Sequence, residues 1–297
     1  MPEDLLPPEV RARQLLRLAR WCGFAPAVLG TGSLAGWLIS GGVIAEVGLF
    51  YATGMLAILA GLLLPAVTKA AGSAKVKKAE VDMNNLVAAI TAYNAAYTRM
   101  PSSKTTRNSI SEQWPDFLYG TQQGGAQVMD SKLRTDYPVV VNRAGTWNVS
   151  NAELMAILTG TVLGNFPPGA PGYAVQTDAD GKWINFNNAL NQKGNVFLNA
   201  KIAKGVGPNG VGELDKVLRD PWGKPYLVWV DLDFDNRVVD PFPAAVGQQV
   251  LPANNPAARF ITQPALVMSF GPDGKADFTQ PANARNTVNA DNIYSWR

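Results

Sequence analysis

Val47-Gly48-Leu49-Phe50-Tyr51-Ala52-Thr53-Gly54-Met55-Leu56-Ala57-Ile58-Leu59-Ala60-Gly61-Leu62-Leu63-Leu64-Pro65-Ala66-Val67-Thr68 is a run of 22 residues without a charged side chain. As a helix rising about 1.5 Å per residue it measures about 33 Å, enough to cross a hydrocarbon layer about 30 Å thick. Behind it, Met83, Leu86, Val87, Ile90, Asn94 and Tyr97 recur at i, i+3, i+4, i+7 spacing, a mostly apolar stripe that a helix turns toward a partner. Lys69, Lys75, Lys77 and Lys78 lie between the two parts, where a helix leaves lipid. The pattern predicts one long helix over residues 42–98, with a membrane half at 47–68 and an amphipathic half at 75–97.

Hydropathy alone is also met by an ordinary transmembrane anchor followed by an unrelated helix. Glu46 argues against that plainer reading. A carboxylate at the edge of an uncharged membrane segment is costly to insert and marks a contact with a partner. Upstream, residues 21–40 carry no charge either, so two spans joined at Ser40-Gly41-Gly42 form one alternative. With arginines before the pair and lysines after it, such a hairpin keeps both flanks in the cytoplasm. The other alternative, a single span with a cleaved or peripheral leader at 1–41, places the large domain outside the inner membrane. The leader lacks the n-region, h-region and A-x-A pattern of an ordinary secretory signal.

Composition narrows the chemistry. The chain has no histidine, which removes the commonest general base, the Ser-His and Cys-His nucleophile pairs and the commonest transition-metal ligand. Cys22 is the single cysteine, so no intramolecular disulfide and no cysteine-based zinc site can form, and oxygen-ligand metals remain. The net charge of +3 is small and its positive residues cluster at the membrane flanks, which argues against nucleic acid as a partner.

Residues 99–297 suit one elaborated, loop-rich domain. Pro101 ends the helix, and 102–134 reads as a polar loop with a short helical turn near Trp114 to Tyr119. Ser150 followed by Glu153 imitates a capping box opening a short amphipathic helix that Gly160 ends. Asp220-Pro221-Trp222-Gly223 is a turn, Tyr226 to Val230 and Ala265 to Phe270 read as strands, and Gly271-Pro272-Asp273-Gly274 is a second turn. The expected fold is α+β, a long N-terminal helix packed on a small antiparallel sheet, with an enlarged middle at about 102–218.

Taken with Glu46 and Pro65, the apolar helix resembles the N-terminal helix of type IV pilins and type II secretion pseudopilins. Asp220-Pro221-Trp222-Gly223-x-Pro225-Tyr226, Ser269-Phe270-Gly271-Pro272-Asp273-Gly274 and Asp291-Asn292-Ile293-Tyr294-Ser295-Trp296 are similar, in the same order, to the C-terminal half of the major pseudopilin. Together these segments cover about half of the chain. The resemblance implies that Glu46 pairs with the N-terminal amine of the neighbouring subunit and that Pro65 is the helix-kinking proline near the end of the apolar stretch. It also implies a prepilin peptidase that cuts after Gly41, leaving Gly42 as the first residue with glutamate fifth, and N-methylation of the mature chain. A second cut, between Gly23 and Phe24, follows the basic stretch Arg11, Arg13, Arg17, Arg20 and makes Val28 the fifth residue.

In the same family the loop after the Gly-Pro-Asp-Gly turn binds calcium. Carried over by motif, Asp273, Asp291 and the carbonyl of Phe270 become Ca2+ ligands, with Asn292 where the family often has a second aspartate. A second acidic group, Asp231-x-Asp233-x-Asp235-Asn236, imitates the first three ligands of an EF-hand loop, although Phe242 stands where the bidentate glutamate belongs. Its plainer reading is a strand whose aspartates face water while Leu232 and Phe234 face the core, ending in an Asp-Asn turn.

The resemblance implies a non-enzymatic subunit of the bacterial inner membrane that self-associates into a helical pseudopilus or pilus-like filament. Its partners would be other pseudopilins and an inner-membrane assembly platform, and its domain would be periplasmic or extracellular. The rival reading is a membrane-anchored surface or carbohydrate-binding protein using Trp147, Trp183, Trp222, Trp229 and Trp296 as stacking platforms. A carboxylate hydrolase using two of Asp231, Asp233, Asp235 and Asp240 is a third.

Overall fold

Helix α1 covers Gly42–Tyr97 and contains Pro65. A computed structural model describes residues 42–120, 122–123, 126–127, 151–163, 178–204, 209–213, 215–245, 248, 250–278, 280–282 and 287–297, excepting the side chains of 42–51, 60, 62, 122–127 and 288. The chain divides into two units at Ala71 and Gly72. In the first, Met55, Leu56, Ile58, Leu59, Leu63, Leu64 and Val67 are exposed. This part of α1 is long and apolar enough to cross a membrane. Pro65 has no N–H to donate within the helix, and the Thr68 hydroxyl donates to the carbonyls of Leu64 and Pro65 at 3.1 and 3.0 Å.

In the second unit, α1 buries Ala79, Met83, Leu86, Ala89, Ile90 and Tyr93, while Val87 and Tyr97 are partly covered. Tyr93 completes the stripe from its buried side, its hydroxyl donating to the Leu190 carbonyl. The helix stops at Tyr97 because Thr98 turns to a left-handed φ of 52°, ahead of Pro101.

Among the described residues two short α-helices follow, α2 (Lys104–Asn108) and α3 (Ala152–Leu158). The strands in chain order are β1 (Asp116–Tyr119), β2 (Gln122–Gln123), β3 (Ala126–Gln127), β4 (Ile202–Ala203), β5 (Gly210–Gly212), β6 (Leu218–Arg219), β7 (Leu227–Asp231), β8 (Val238–Val239), β9 (Phe260–Ile261), β10 (Ala265–Ser269) and β11 (Ile293–Tyr294). The central sheet has the order β1-β7-β10-β11, antiparallel throughout. Alternation with a period of two serves both faces. Phe117, Tyr119, Val228, Val230, Ala265, Val267 and Ile293 join the core that holds α1 and α3. Leu118, Leu227, Trp229, Leu266, Met268 and Tyr294 build a second core with Phe242, Phe270 and Phe278.

The α+β architecture follows expectation; two local readings do not. In the segment read as a helical turn near Trp114 to Tyr119, residues 116–119 form edge strand β1 instead, because pairing with β7 lets Phe117 and Tyr119 enter one core and Leu118 the other. The capping box at Ser150 and Glu153 is replaced. Asn151 occupies the N-cap without a side-chain cap bond, and Glu153 is buried and bonded elsewhere.

Candidate functional site

The three C-terminal motifs interlock. Asp220 is buried, and its Oδ1 accepts the N–H groups of Trp222 (3.0 Å) and Lys224 (2.9 Å), fixing the Asp-Pro-Trp-Gly turn, where Gly223 takes φ +89°. Its Oδ2 accepts the Ser269 hydroxyl at 2.7 Å, and Ser269 Oγ in turn accepts the Gly271 N–H at 3.1 Å. Burial raises the Asp220 pKa, with the Ser269 bond and the backbone donors opposing it. Gly271 has φ +67°, and a Cβ there would lie 2.2 Å from the Asp291 carbonyl oxygen, so this approach admits only glycine. Asp291 Oδ2 accepts the Asp273 N–H at 3.2 Å.

These contacts place Asp273 beside Asp291. The Asp273 Oδ1 accepts the Lys275 N–H at 2.8 Å. Asn292 is buried and its amide donates to Asn289 Oδ1 at 3.1 Å, an oxygen that also accepts the Asp277 N–H. Phe270 puts its ring in the second core.

The second acidic group is assembled differently from its sequence pattern. Among the described residues, one three-carboxylate group has ligand oxygens all within 4.8 Å of one another: Asp116, Asp231 and Asp233. Asp116 of β1 is the register partner of Asp231, the last residue of β7. The chain then leaves the strand. Asp231 Oδ1 accepts the Phe234 N–H (2.7 Å) and Oδ2 the Asn236 N–H (2.8 Å), with Phe234 and Asn236 both left-handed at φ 66° and 60°. The alternating strand over 231–235 is therefore corrected. Asp231 is buried, Phe234 is exposed, and Asp235 pairs with Arg237 at 2.6 Å. No local signal marked Asp116, which precedes Asp231 by a long stretch of chain. The aromatic run Phe117-Leu118-Tyr119 after Pro115 was the available hint of a strand.

Burial drives the electrostatics of this group. It pushes the Asp116 carboxyl up to about 8, opposed by the Val239 N–H and reinforced by Asp233, Asp231 and Asp235. It pushes Asp231 up to about 6, with Asp233 adding to the effect. Asp116 Oδ2 accepts the Val239 N–H at 2.9 Å, while its Oδ1 is shielded from solvent without a hydrogen-bond partner. Converging carboxylates of this kind either share protons or neutralise their charge with a hard cation.

The remaining sequence candidates fall as follows. Glu46, Gly42 and Pro65 lie in α1, with the Glu46 side chain outside the described residues. Gly41, Gly23, Phe24 and Trp147 also lie outside the described residues. Trp229 is core, Trp222 and Trp296 are half-buried, and Trp183 is exposed. Asp240 is buried against Arg259 (3.0 Å) and Arg297 (3.9 Å). No family model matches this sequence, and no curated protein or solved structure matches it.

Proposed function

We propose that the chain is a structural subunit of a membrane-anchored, pilus-like filament of the type II secretion or type IV class. The carrying observation is helix α1, which has an uncovered apolar stretch followed by a stripe buried in the α+β unit. An uncovered apolar helix needs lipid or other helices around it. A filament supplies both in turn, storage in the bacterial inner membrane and then packing with copies of itself, with the folded domain periplasmic or extracellular. The interlocked turns at 220–223 and 269–274 and the closing residues 291–296 support the reading, since they form one small, well-tied unit. Calcium on Asp273, Asp291 and the Phe270 carbonyl belongs to the same proposal.

Glu46 is the residue on which assembly turns: pairing with the amine of an adjacent subunit inside an apolar core penalises wrong register. Glu46→Leu or Glu46→Ala is expected to leave membrane insertion intact and to abolish filaments, scored by membrane fractionation and by electron microscopy of sheared material. Normal filaments from either variant would sink the proposal. The carbohydrate-binding reading needs an exposed aromatic platform, and among the described tryptophans Trp183 is the exposed one.

A further inference from the structure

Asp116 and Asp231 face each other across a strand pair, an arrangement in which like charges repel. The loop after β7, held by two backbone bonds to Asp231, brings a third carboxylate, Asp233, to the same place. Among the described residues no Lys or Arg forms an ion pair with any of the three, and the nearby Arg237 is taken by Asp235. Asp116 contributes a further sign: it is half-buried, and while its Oδ2 accepts the Val239 N–H, its Oδ1 is shielded from solvent and receives no hydrogen bond. A buried acceptor left this way costs free energy unless something positive or protic fills the gap. Asp233 itself is exposed and lines an open recess of about 940 Å³ with Ser111, Glu112, Gln113 and Asn254, which gives an ion an entry path and further oxygen donors.

We infer that Asp116, Asp231 and Asp233 form a binding site for a hard divalent cation of the calcium class, which fastens edge strand β1 to the loop after β7. Oxygen-only ligands and a solvent-open side suit an ion that keeps several waters, and the absence of histidine from the chain disfavours softer metals. The site is separate from Asp273 and Asp291 and does not depend on filament assembly.

The test uses the full chain in detergent micelles, with Ca2+ and luminescent Tb3+ as probes and Trp114 as a nearby sensitiser. Wild type is expected to bind Ca2+ calorimetrically and to unfold about 5 °C higher in Ca2+ than in EDTA. Asp233→Asn, on the exposed side, should weaken binding at least about tenfold. It should also unfold in EDTA no earlier than wild type, because it relieves repulsion. Asp116→Asn should behave alike, and Asp291→Asn should keep the response. Wild type that binds no Ca2+ at millimolar concentration would overturn the inference, as would affinity unchanged in Asp233→Asn or a response lost only in Asp291→Asn.

Discussion

The C-terminal third and the described part of the middle of the chain are held together by opposite means. From Asp220 onward, order comes from tight turns that then dock on one another: Asp220 fastens Trp222 and Lys224 within its own turn, and the second turn sits against Asp291 at Gly271, which lacks a Cβ. In the middle, order comes from buried polar side chains that reach across the fold. Glu153 accepts from the Ser103 N–H (2.7 Å), the Thr106 hydroxyl (2.8 Å) and the Tyr119 hydroxyl (2.9 Å), joining α3 to α2 and β1. Asn151 joins α3 to the strand ladder, donating to the Leu218 and Tyr226 carbonyls at 2.9 and 3.0 Å and accepting the Leu218 N–H at 2.8 Å. Turns localise stability, whereas hubs distribute it.

That contrast makes the hub the most damaging place to cut. Asn151→Ala removes three hydrogen bonds to buried backbone at once; the Leu218 carbonyl keeps the Tyr226 N–H at 3.2 Å, while the Leu218 N–H and the Tyr226 carbonyl each lose a partner worth about 1–3 kcal/mol. We expect about 3–5 kcal/mol lost in urea unfolding, with the loss spread to α3 and β6 in hydrogen exchange. Loss of protection confined to α3 would contradict the hub description.

A turn should break more cheaply and more locally. Gly271→Ala forces an L-residue into φ +67° and drives Cβ into the Asp291 carbonyl; about 2–3 kcal/mol is expected from strain and displacement. Gly181→Ala is the matched control, with φ +72° and open space around it, and should cost only about 1–2 kcal/mol. Equal costs at the two positions would mean that the 271–291 approach contributes nothing beyond backbone conformation.

The same distinction explains what could be read from sequence. The turn motifs, the two strands beside them and the helix stripe were legible because each is carried by a few consecutive or regularly spaced residues. Segment 116–119 was misread as helical because its partner β7 lies far along the chain and local pattern does not encode pairing. Glu153 was read as a capping residue for a related reason: its position three residues after Ser150 imitates a local motif, while its true partners Ser103, Thr106 and Tyr119 are remote. The acidic group shows both cases together. Asp231 and Asp233 were visible as a repeat, Asp235 was included by the same repeat although it pairs with Arg237, and Asp116 was missed because only strand register delivers it.

The smallest expected effect distinguishes a charged hub from a neutral one. Burial raises the Glu153 pKa above its ordinary 4.5, outweighing the three hydrogen bonds that favour the carboxylate. The folded protein therefore holds the Glu153 proton more tightly than the unfolded chain. Its contribution to stability is complete below about pH 4.5 and declines as pH rises toward the folded pKa, with a limit of about 1.4 kcal/mol per pH unit. Glu153→Gln cannot titrate, so this part of the slope should vanish. Urea midpoints of wild type and variant, compared from about pH 5 to about pH 8, should converge or cross as pH rises, with wild type losing ground. A difference between the two proteins that stays constant with pH would show that Glu153 remains ionised throughout. Its three donors would then outweigh burial, and the hub would be held by charge-assisted bonds comparable to those Asp220 makes in the turn.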